Sequence, residues 1–441
     1  MNEIEAVDEL ADRVAPMIGR AVDELQIAAV LESQGFTDQV ARERYGVKDV
    51  FALASVVFRH LPRDVEALPD AQRARRTFRV LSHGPLFLLP SLGYPAVYDW
   101  LGGLPMVRGL VFTTAIGWWW AMGMSLVAYR LLGHGLDHAA GRSLRLLGGI
   151  GLGVVAAGSL VIDTRLWVFC LAQMGFQVSS CVMVIYKREA RLALLMLPAC
   201  AGGLAHLVFD MMLVALCCGA LSIVLVLVES WRSAGKAAPD TRKPPRMPML
   251  LRLTAPSVAY SALCAAFLLN TDARFVLAEL DLGLAVAPLV LGMGAVEWRA
   301  HRYSEQALDQ LDHSRDVTAF RRCIQWLLIR ELAHCLVIIG CIALLMLGVL
   351  AQFGLLTTRG SLLVDAHVLL GGVFFLGFVL MRYEGLRSSL VIMPVVVIAN
   401  VVVNLVVPGY EIQVFLTGCA VLLVLFLLVS LVTAGEVRRY R

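Results

Sequence analysis

Long apolar runs, separated by short polar segments, dominate the chain from about residue 84 onward. Each run is close to the roughly 20 residues that a helix needs to cross the hydrocarbon core of a bilayer. The runs are unbroken rather than alternating, which favours helices over a membrane β-barrel. They predict twelve membrane spans, at residues 84–103, 110–130, 146–163, 166–186, 192–209, 211–231, 250–270, 276–297, 326–351, 361–381, 388–407 and 413–434.

Composition agrees with a chain dissolved in lipid. Of its 441 residues 59% are hydrophobic and only 16% are charged, and the mean hydropathy is +0.75. An ordinary soluble domain carries about 25% charged residues. The ten cysteines lie almost all inside the apolar runs and show no C-x-x-C spacing. They are therefore interpreted as small buried side chains, and no disulfide, metal site or cofactor is predicted.

The basic residues fall on alternate loops. Counted along the twelve spans, 34 Lys and Arg lie on one side, which includes the N-terminal segment, and 4 lie on the other. Because cytoplasmic loops carry the excess of Lys and Arg, this pattern predicts a multi-pass cell-membrane protein with both termini in the cytoplasm.

The segment at 232–249 is rich in Pro, Lys and Arg and divides the spans six and six. Two six-helix halves are usual in secondary transporters built from repeats. We therefore expect an all-α polytopic membrane protein with a first lobe at 80–231, a linker at 232–249 and a second lobe at 250–441. The polar stretch at 296–323, between spans eight and nine, has helical periodicity and is expected to extend the eighth span into the cytoplasm.

Residues 1–70 predict a small cytoplasmic helical head of three amphipathic helices, the first ending at Gly35 and the second running from a Thr37 cap to Gly46. It carries no catalytic constellation and is interpreted as a packing or partner-binding module. The basic cluster at 73–80 is expected to orient the chain and to attract anionic membrane lipids.

Polar groups inside the apolar runs are the candidate functional residues, because each needs a partner or a water-filled cavity. Pro90 and Pro95 interrupt the first span, as in the broken helices of transport sites. The acids and histidines concentrate in the half away from the basic loops. This predicts a polar central cavity, open to the outside, for a sugar, protons or cations. The residues proposed to line it are Asp99, Gln173, Gln177, His206, Asp210, Asp281, Asp365, His367, Asn400 and Asn404. The alternatives are helix-packing contacts, and an outer-interface position for Asp99.

No Walker loop, G-x-S-x-G elbow or H-E-x-x-H motif is present, so we expect neither an enzyme nor ATP-driven transport by this chain alone. No nucleic-acid partner is predicted either. The three adjacent tryptophans Trp118, Trp119 and Trp120 lie near the middle of the second span. They are interpreted as packing between helices, with stacking of one ring on a sugar as the alternative.

Over residues 80–441 the chain resembles the multidrug/oligosaccharidyl-lipid/polysaccharide flippase superfamily, in particular its Pel-type exopolysaccharide exporters. Three features carry the resemblance: twelve spans with both ends inside, Pro and Gly in the first span, and the polar helix "EWRAHRYSEQALDQLDHSRDVTAFRRCIQWLLIREL". The resemblance implies transport of a lipid-linked or polymeric sugar by alternating access of two lobes. A cytoplasmic glycosyltransferase, or another synthesis-complex protein, is then the expected partner of residues 1–70.

Two alternatives remain open. One is a major facilitator transporter, because "GHGLDHAAGRSLRLL" partly matches that family's G-x-x-x-D-R-x-G-R loop. The matching positions are Gly133, Asp137, Gly141 and Arg142, although the Asp lies one residue too far along and His138 replaces the basic residue. The other is a non-transporting membrane scaffold in an envelope-polymer synthesis complex.

Overall fold

The computed structural model describes residues 9–11, 24–60, 70–240, 242–275, 280–313, 317–382 and 386–433. Within these ranges all regular secondary structure is helical, which confirms the all-α class. Eleven of the described helices are long and apolar enough to cross a membrane. They are numbered as spans 2 to 12: Gly103–Gly133, Asp137–Ile162, Trp167–Ile185, Glu189–Phe209, Met212–Ser233, Met247–Phe275, Ala287–His313, Val317–Gln352, Thr358–Arg382, Leu386–Val406 and Glu411–Thr433.

Span 1 is broken into three pieces. A short helix at His83–Leu88 leads into a 3-10 turn at Leu89–Gly93, and a second helix follows at Tyr94–Leu101. Pro90 opens the turn and Pro95 opens the last helix. Proline lacks the N–H that continues an α-helical hydrogen-bond ladder, so each break falls where the sequence predicts it.

The helices form two bundles, spans 1–6 and spans 7–12. Span 4 is the most enclosed helix of the first bundle, with 67% of its most apolar window buried, and span 10 is the most enclosed helix of the second, with 72%. Each is the fourth helix of its bundle. Aromatic side chains fill the second core, where the rings of Phe267 and Phe415 lie 5.1 Å apart.

The side of the bundles that carries the loops rich in Lys and Arg is called the basic end, and the opposite side is called the outer end. The bundles meet through two pairs of helices in the half toward the basic end. Span 2 packs against span 7, where Arg130 Nη2 donates to the Leu253 carbonyl at 3.1 Å. Span 1 packs against span 8 so closely that a Cβ on Gly84 would overlap the Leu291 carbonyl oxygen. A Cβ on Gly294 of span 8 would lie 2.6 Å from the carbonyl oxygen of Leu81, which ends the helix Asp70–Leu81 that leads into span 1.

Near mid-membrane, Trp118 of span 2 meets Phe374 of span 10 edge to face, with ring centroids 5.6 Å apart. Trp120 instead donates its indole N–H to the Leu147 carbonyl of span 3, at 2.9 Å. The interpretation of these tryptophans as packing residues therefore agrees with their contacts, and Trp118 adds an apolar contact between the bundles.

The linker between the bundles is attached to span 3. Asp240 accepts the backbone N–H groups of His138 and Ala139, at 3.1 and 2.8 Å, at the start of that helix. A carboxylate at a helix N-terminus is favoured by both the unpaired N–H groups and the helix dipole. The loop that partly matches the major facilitator motif is therefore held by the linker.

The polar stretch after span 8 is helical, as predicted, and the helix continues to His313. Tyr303 and Ala307 are buried along one face of it. The carboxylate of Glu331 in span 9 is almost fully buried and accepts Arg299 Nη1 at 3.0 Å. Arg76, ahead of span 1, binds Glu305 at 3.0 Å. Hydrogen-bonded charges thus hold this polar helix against its neighbours.

The structure moves some predicted boundaries. Span 8 begins at Ala287, and Asp281 lies before it in a separate short helix at Leu280–Leu284. Span 7 continues five residues beyond its predicted end, from 270 to Phe275. This extension brings Asp272 into the helix.

Three helices of the N-terminal region are described: Glu24–Ser33, Asp38–Tyr45 and Val50–His60. The Thr37 hydroxyl accepts the N–H of Val40, and Gly46 ends the second helix with a φ of 65°, as predicted. Ile27, Leu31 and Leu53 lie in a core of their own. This core is separate from the cores of the two bundles.

We expect Gly84→Ala and Gly294→Ala to lower the stability of the folded protein by about 1–3 kcal/mol each, because a methyl group would collide with the backbone of the facing helix. The measurement is the thermal unfolding midpoint of the purified protein in detergent. Gly149→Ala, in open space within span 3, is the matched control and should leave the midpoint unchanged or slightly higher. Equal midpoints for all three variants would contradict the close contact of spans 1 and 8.

Candidate functional site

The ten predicted site residues do not lie in one cavity. They fall into separate groups at the outer end of the first bundle, in the interior of span 4, and in the second bundle. Asp365 is exposed on span 10, and no contact is described for its side chain. The groups are therefore considered one at a time.

The first group joins the outer ends of spans 1 and 5. His206 is buried, with 6% of its surface exposed, and its Nε2 lies 2.9 Å from Asp99 Oδ2. Its Nδ1 lies 3.6 Å from Asp210 Oδ1. Asp210 ends span 5 in the left-handed region, with a φ of 54°, a conformation that Asp tolerates better than most residues. The two carboxylates thus flank one imidazole.

A cavity of about 340 Å³ lies inside the first bundle, beside the break in span 1. Its walls are mostly apolar, and its volume is within the usual range of ligand pockets. Tyr94 and Gln173 supply polar groups to the wall, and Gln173 Nε2 donates to the Tyr94 hydroxyl at 3.0 Å. Trp100 and Cys217 line the cavity and are exposed on the outside of the bundle. The cavity therefore adjoins the surface that would face lipid.

Gln177 lies one turn further along span 4, against Gly117 of span 2. Its Oε1 is buried without a hydrogen-bond partner among the described residues. Gln173 and Gln177 therefore lie one turn apart on span 4, although their neighbours differ.

The second bundle contains a buried acid–imidazole pair. His367 of span 10 is fully buried, and its Nδ1 donates to the Leu363 carbonyl at 2.7 Å. Its Nε2 lies 3.1 Å from Oδ2 of Asp272 in span 7. A neutral imidazole has only one N–H, and both ring nitrogens here face acceptors. The pair therefore needs one further proton, on the ring or on the carboxylate.

Amides lie close by. Asn400 Oδ1 of span 11 accepts Asn270 Nδ2 at 3.3 Å and Asn404 Nδ2 at 3.1 Å. Asn404 Oδ1, Thr271 Oγ1 and Asp272 Oδ1 are buried without hydrogen-bond partners among the described residues. Unpaired buried polar atoms are costly, and they are typical places for ordered water or a bound ion.

Asp272 and Asn270 are not among the predicted site residues. The apolar run predicts that span 7 ends at residue 270, so the acid beyond it reads as part of a loop. The sequence "LLNTDARF" gives one usable signal, an Asn and an Asp two positions apart at the end of a long apolar helix. Nothing local indicates that His367, 95 positions away, is the partner.

Asp281 is buried but has partners for both oxygens. Oδ2 accepts the N–H and the hydroxyl of Thr357, at 2.8 and 2.7 Å, and Oδ1 accepts the N–H of Leu282. Thr357 in turn caps span 10 through the N–H of Gly360. These contacts are those of a capping carboxylate that fixes the loop before span 8, rather than of a group lining a cavity.

At the basic end, one histidine bridges the two bundles. His83, at the start of span 1, is buried, and its Nδ1 lies 2.7 Å from Glu297 of span 8. Its Nε2 lies 3.6 Å from the buried Glu189 of span 5, which Arg79 also approaches at 3.8 Å. Burial lowers the pKa of His83, but the hydrogen bonds and charges of Glu297 and Glu189 outweigh it, so the pKa is raised above 6.5.

We expect this bridge to make stability depend on pH. Because the pKa of His83 is raised in the folded protein, the stabilisation is fully present below about pH 6.5 and is lost as the pH rises through the raised value. The thermal unfolding midpoint of the wild type should fall over that window. The His83→Gln variant has no titrating group at this position, so it should lack the part of the pH dependence that comes from the bridge. His134→Gln, at an exposed histidine of the same end, is the control; a His83→Gln profile that parallels the wild type would disprove the bridge.

The fold was compared with known proteins. It is similar to a solved structure described as "Crystal structure of MATE in complex with MaD5", with a TM-score of 0.44 and 13% sequence identity over 82% of this chain and 95% of that chain. No protein-family model matches the chain, and no curated protein matches it.

Proposed function

We propose that the chain is a secondary transporter that moves a polysaccharide or lipid-linked sugar across the cell membrane by alternating access of its two bundles. The observation that carries the proposal is the arrangement of contacts between the bundles in the half toward the basic end. Two helix pairs, spans 1 and 8 and spans 2 and 7, join there. Separation of these pairs would open a path from that side.

The contacts that must separate are of kinds that can break and reform. Gly84 and Gly294 each face backbone atoms across a close contact, and the bridge through His83 is an ionic contact that loss of a proton can release. A transporter needs both states to be within a few kcal/mol of each other. Protonation of His83 favours the state in which the basic end is closed.

A proton is the proposed coupling ion. The chain carries no nucleotide-binding motif, so an ion gradient is the available energy source. The Asp272–His367 pair offers a place for an extra proton inside the second bundle and links spans 7 and 10. Loss of that proton would leave a buried acceptor unsatisfied on one of the two spans. Protonation can therefore be linked to their relative position.

Two features support an amphiphilic sugar as the substrate. The cavity beside the broken span 1 is largely apolar and adjoins the lipid-facing surface, as a hydrocarbon carrier would require. The rings of Trp118 and Phe374 pack against each other between the bundles. Separation of the bundles would expose both rings to the transport path that opens between them. Aromatic faces stack readily on the apolar faces of sugar rings.

In this proposal both termini are cytoplasmic, membrane lipids surround the spans, and the chain performs no enzymatic step of its own. The N-terminal helices, with their separate core, would bind a cytoplasmic glycosyltransferase or another member of a synthesis complex. Delivery of the growing sugar to the basic end would then be direct.

A non-transporting scaffold is the second candidate function. The contact of Trp118 with Phe374 favours it, because an apolar contact between the bundles is what a permanently closed centre would have. A cysteine pair that cross-links span 2 to span 7 at the basic end separates the two functions. A transporter should lose export when cross-linked and regain it on reduction, whereas a scaffold should be unaffected.

The transport proposal is tested with the full-length chain in liposomes that contain a fluorescent polyprenyl-linked oligosaccharide. Under an imposed pH gradient, the wild type should change the fraction of label that dithionite can reduce from outside. Asp272→Asn and His367→Gln should reduce the gradient-driven rate by about tenfold or more, a loss of roughly 1.4 kcal/mol or more of coupling. Asp163→Asn, at an acid of the outer end that caps the N–H of Arg165, is the matched control.

Flipping that is unaffected by the gradient or by these variants would refute the proposed proton coupling. Absence of flipping in the wild type would refute the lipid-linked sugar as substrate.

A further inference from the structure

Two arginines of the first bundle share one carboxylate at the basic end. Arg188, just before span 5, and Arg191, in its first turn, each donate from Nη1 to Oε1 of Glu229 in span 6, at 2.6 and 2.7 Å. The three groups together carry one net positive charge. A guanidinium has five N–H donors. The described contacts use one donor of each side chain, so donors remain for a further acceptor.

The two arginines lie at the edge of an apolar surface. The Arg191 side chain is 60% exposed. It begins a stripe of exposed side chains on span 5, spaced by three or four residues: Arg191, Leu194, Leu197, Ala201 and Leu204. Span 6 packs against span 5 and exposes a similar stripe at Val224, Val228 and Trp231. Tryptophan is enriched at the membrane–water interface, so Trp231 marks the level of the lipid head groups.

The geometry points to a binding site for one anionic phospholipid of the leaflet at the basic end. Arg188 and Arg191 would hold its phosphate, and its acyl chains would lie along the exposed stripes of spans 5 and 6. Phosphate oxygens accept paired hydrogen bonds from a guanidinium, which makes arginine common at phosphate sites. The apolar stripe begins one turn from Arg191, which fits the phosphate ester of a lipid better than free phosphate in water.

The surplus of positive charge favours an anionic lipid over a zwitterionic one. Lys187 precedes Arg188, and Arg232 follows Glu229 by three positions. Both are exposed, and their side chains have no ion-pair partner among the described residues. A lipid with one negative charge offsets part of this surplus. A zwitterionic lipid also carries a cationic amine, which the neighbouring basic side chains repel.

Occupancy of the site would reach the contact between the bundles. Arg188 precedes Glu189, whose carboxylate lies 3.6 Å from His83 Nε2. A lipid that holds Arg188 would fix the start of span 5, and with it the position of Glu189 in that bridge. We therefore expect the anionic lipid to raise the thermal unfolding midpoint, whatever the chain transports.

The test uses the full-length protein, purified in a neutral detergent and depleted of lipid. Phosphatidylglycerol, phosphatidylcholine and inorganic phosphate are added separately; binding is measured by native mass spectrometry, together with the thermal unfolding midpoint. We expect phosphatidylglycerol to bind saturably and to raise the midpoint, and the other two to do neither. Arg191→Gln should weaken phosphatidylglycerol binding by about fivefold or more, because it removes one of the two guanidiniums. Arg188 still pairs with Glu229 in this variant, so the fold is retained.

Arg142→Gln is the matched control. Arg142 is an exposed arginine at the basic end of span 3, so its loss removes the same charge from the same end of the same bundle. This variant should bind phosphatidylglycerol like the wild type. Equal binding of the two lipids by the wild type, unchanged binding in Arg191→Gln, or an equal loss in both variants would overturn the assignment. Saturable displacement of the lipid by inorganic phosphate would overturn it as well.

Discussion

Lipid offers no hydrogen bonds, and this constraint accounts for most features of the molecule. Every polar group at depth must find a partner in the protein, because the surrounding hydrocarbon cannot supply one. The result is a set of long-range pairs: His367 with Asp272, and Asn270 with Asn400. Each joins two helices within one bundle. The polar residues thus hold each bundle together internally.

The contacts between the bundles follow a different rule. Except for the charges at the basic end, they are made by close backbone approach and by apolar rings, as at Gly294 and at Trp118 with Phe374. Little free energy is lost when such contacts are exchanged for contacts with lipid or another apolar surface. Polar pairs inside each bundle make it rigid, and apolar contacts between the two bundles allow them to move against each other. This combination is what two rigid bodies with a movable interface require.

Much of the fold follows from the sequence, because span length and hydropathy are local properties. The runs predict the twelve spans, and Pro90 and Pro95 predict the break in the first. The predicted boundaries are less accurate where polar residues continue a helix, as at the end of span 7. That error of five residues conceals Asp272, and with it the partner of His367.

The site is harder to predict than the fold, for a physical reason. A polar residue in an apolar run indicates that a partner exists but not which one, since partners come from helices about 100 positions apart. Asp281 and His206 look equivalent in the sequence. The first has partners for both carboxylate oxygens, whereas the second has a ring nitrogen without one. Only the three-dimensional arrangement distinguishes a carboxylate that caps a helix from a ring nitrogen that has no partner among the described residues.

The attachment of Asp240 to the start of span 3 limits how far the two halves can move apart. Six residues, 241–246, separate this anchor from the first residue of span 7. Fully extended, the seven Cα–Cα steps from Asp240 to Met247 reach at most about 25 Å. The short connection therefore limits the distance between the two halves at the basic end. The halves can tilt or hinge there but cannot separate fully. Lengthening the connection would loosen the pairing of the halves without changing either half.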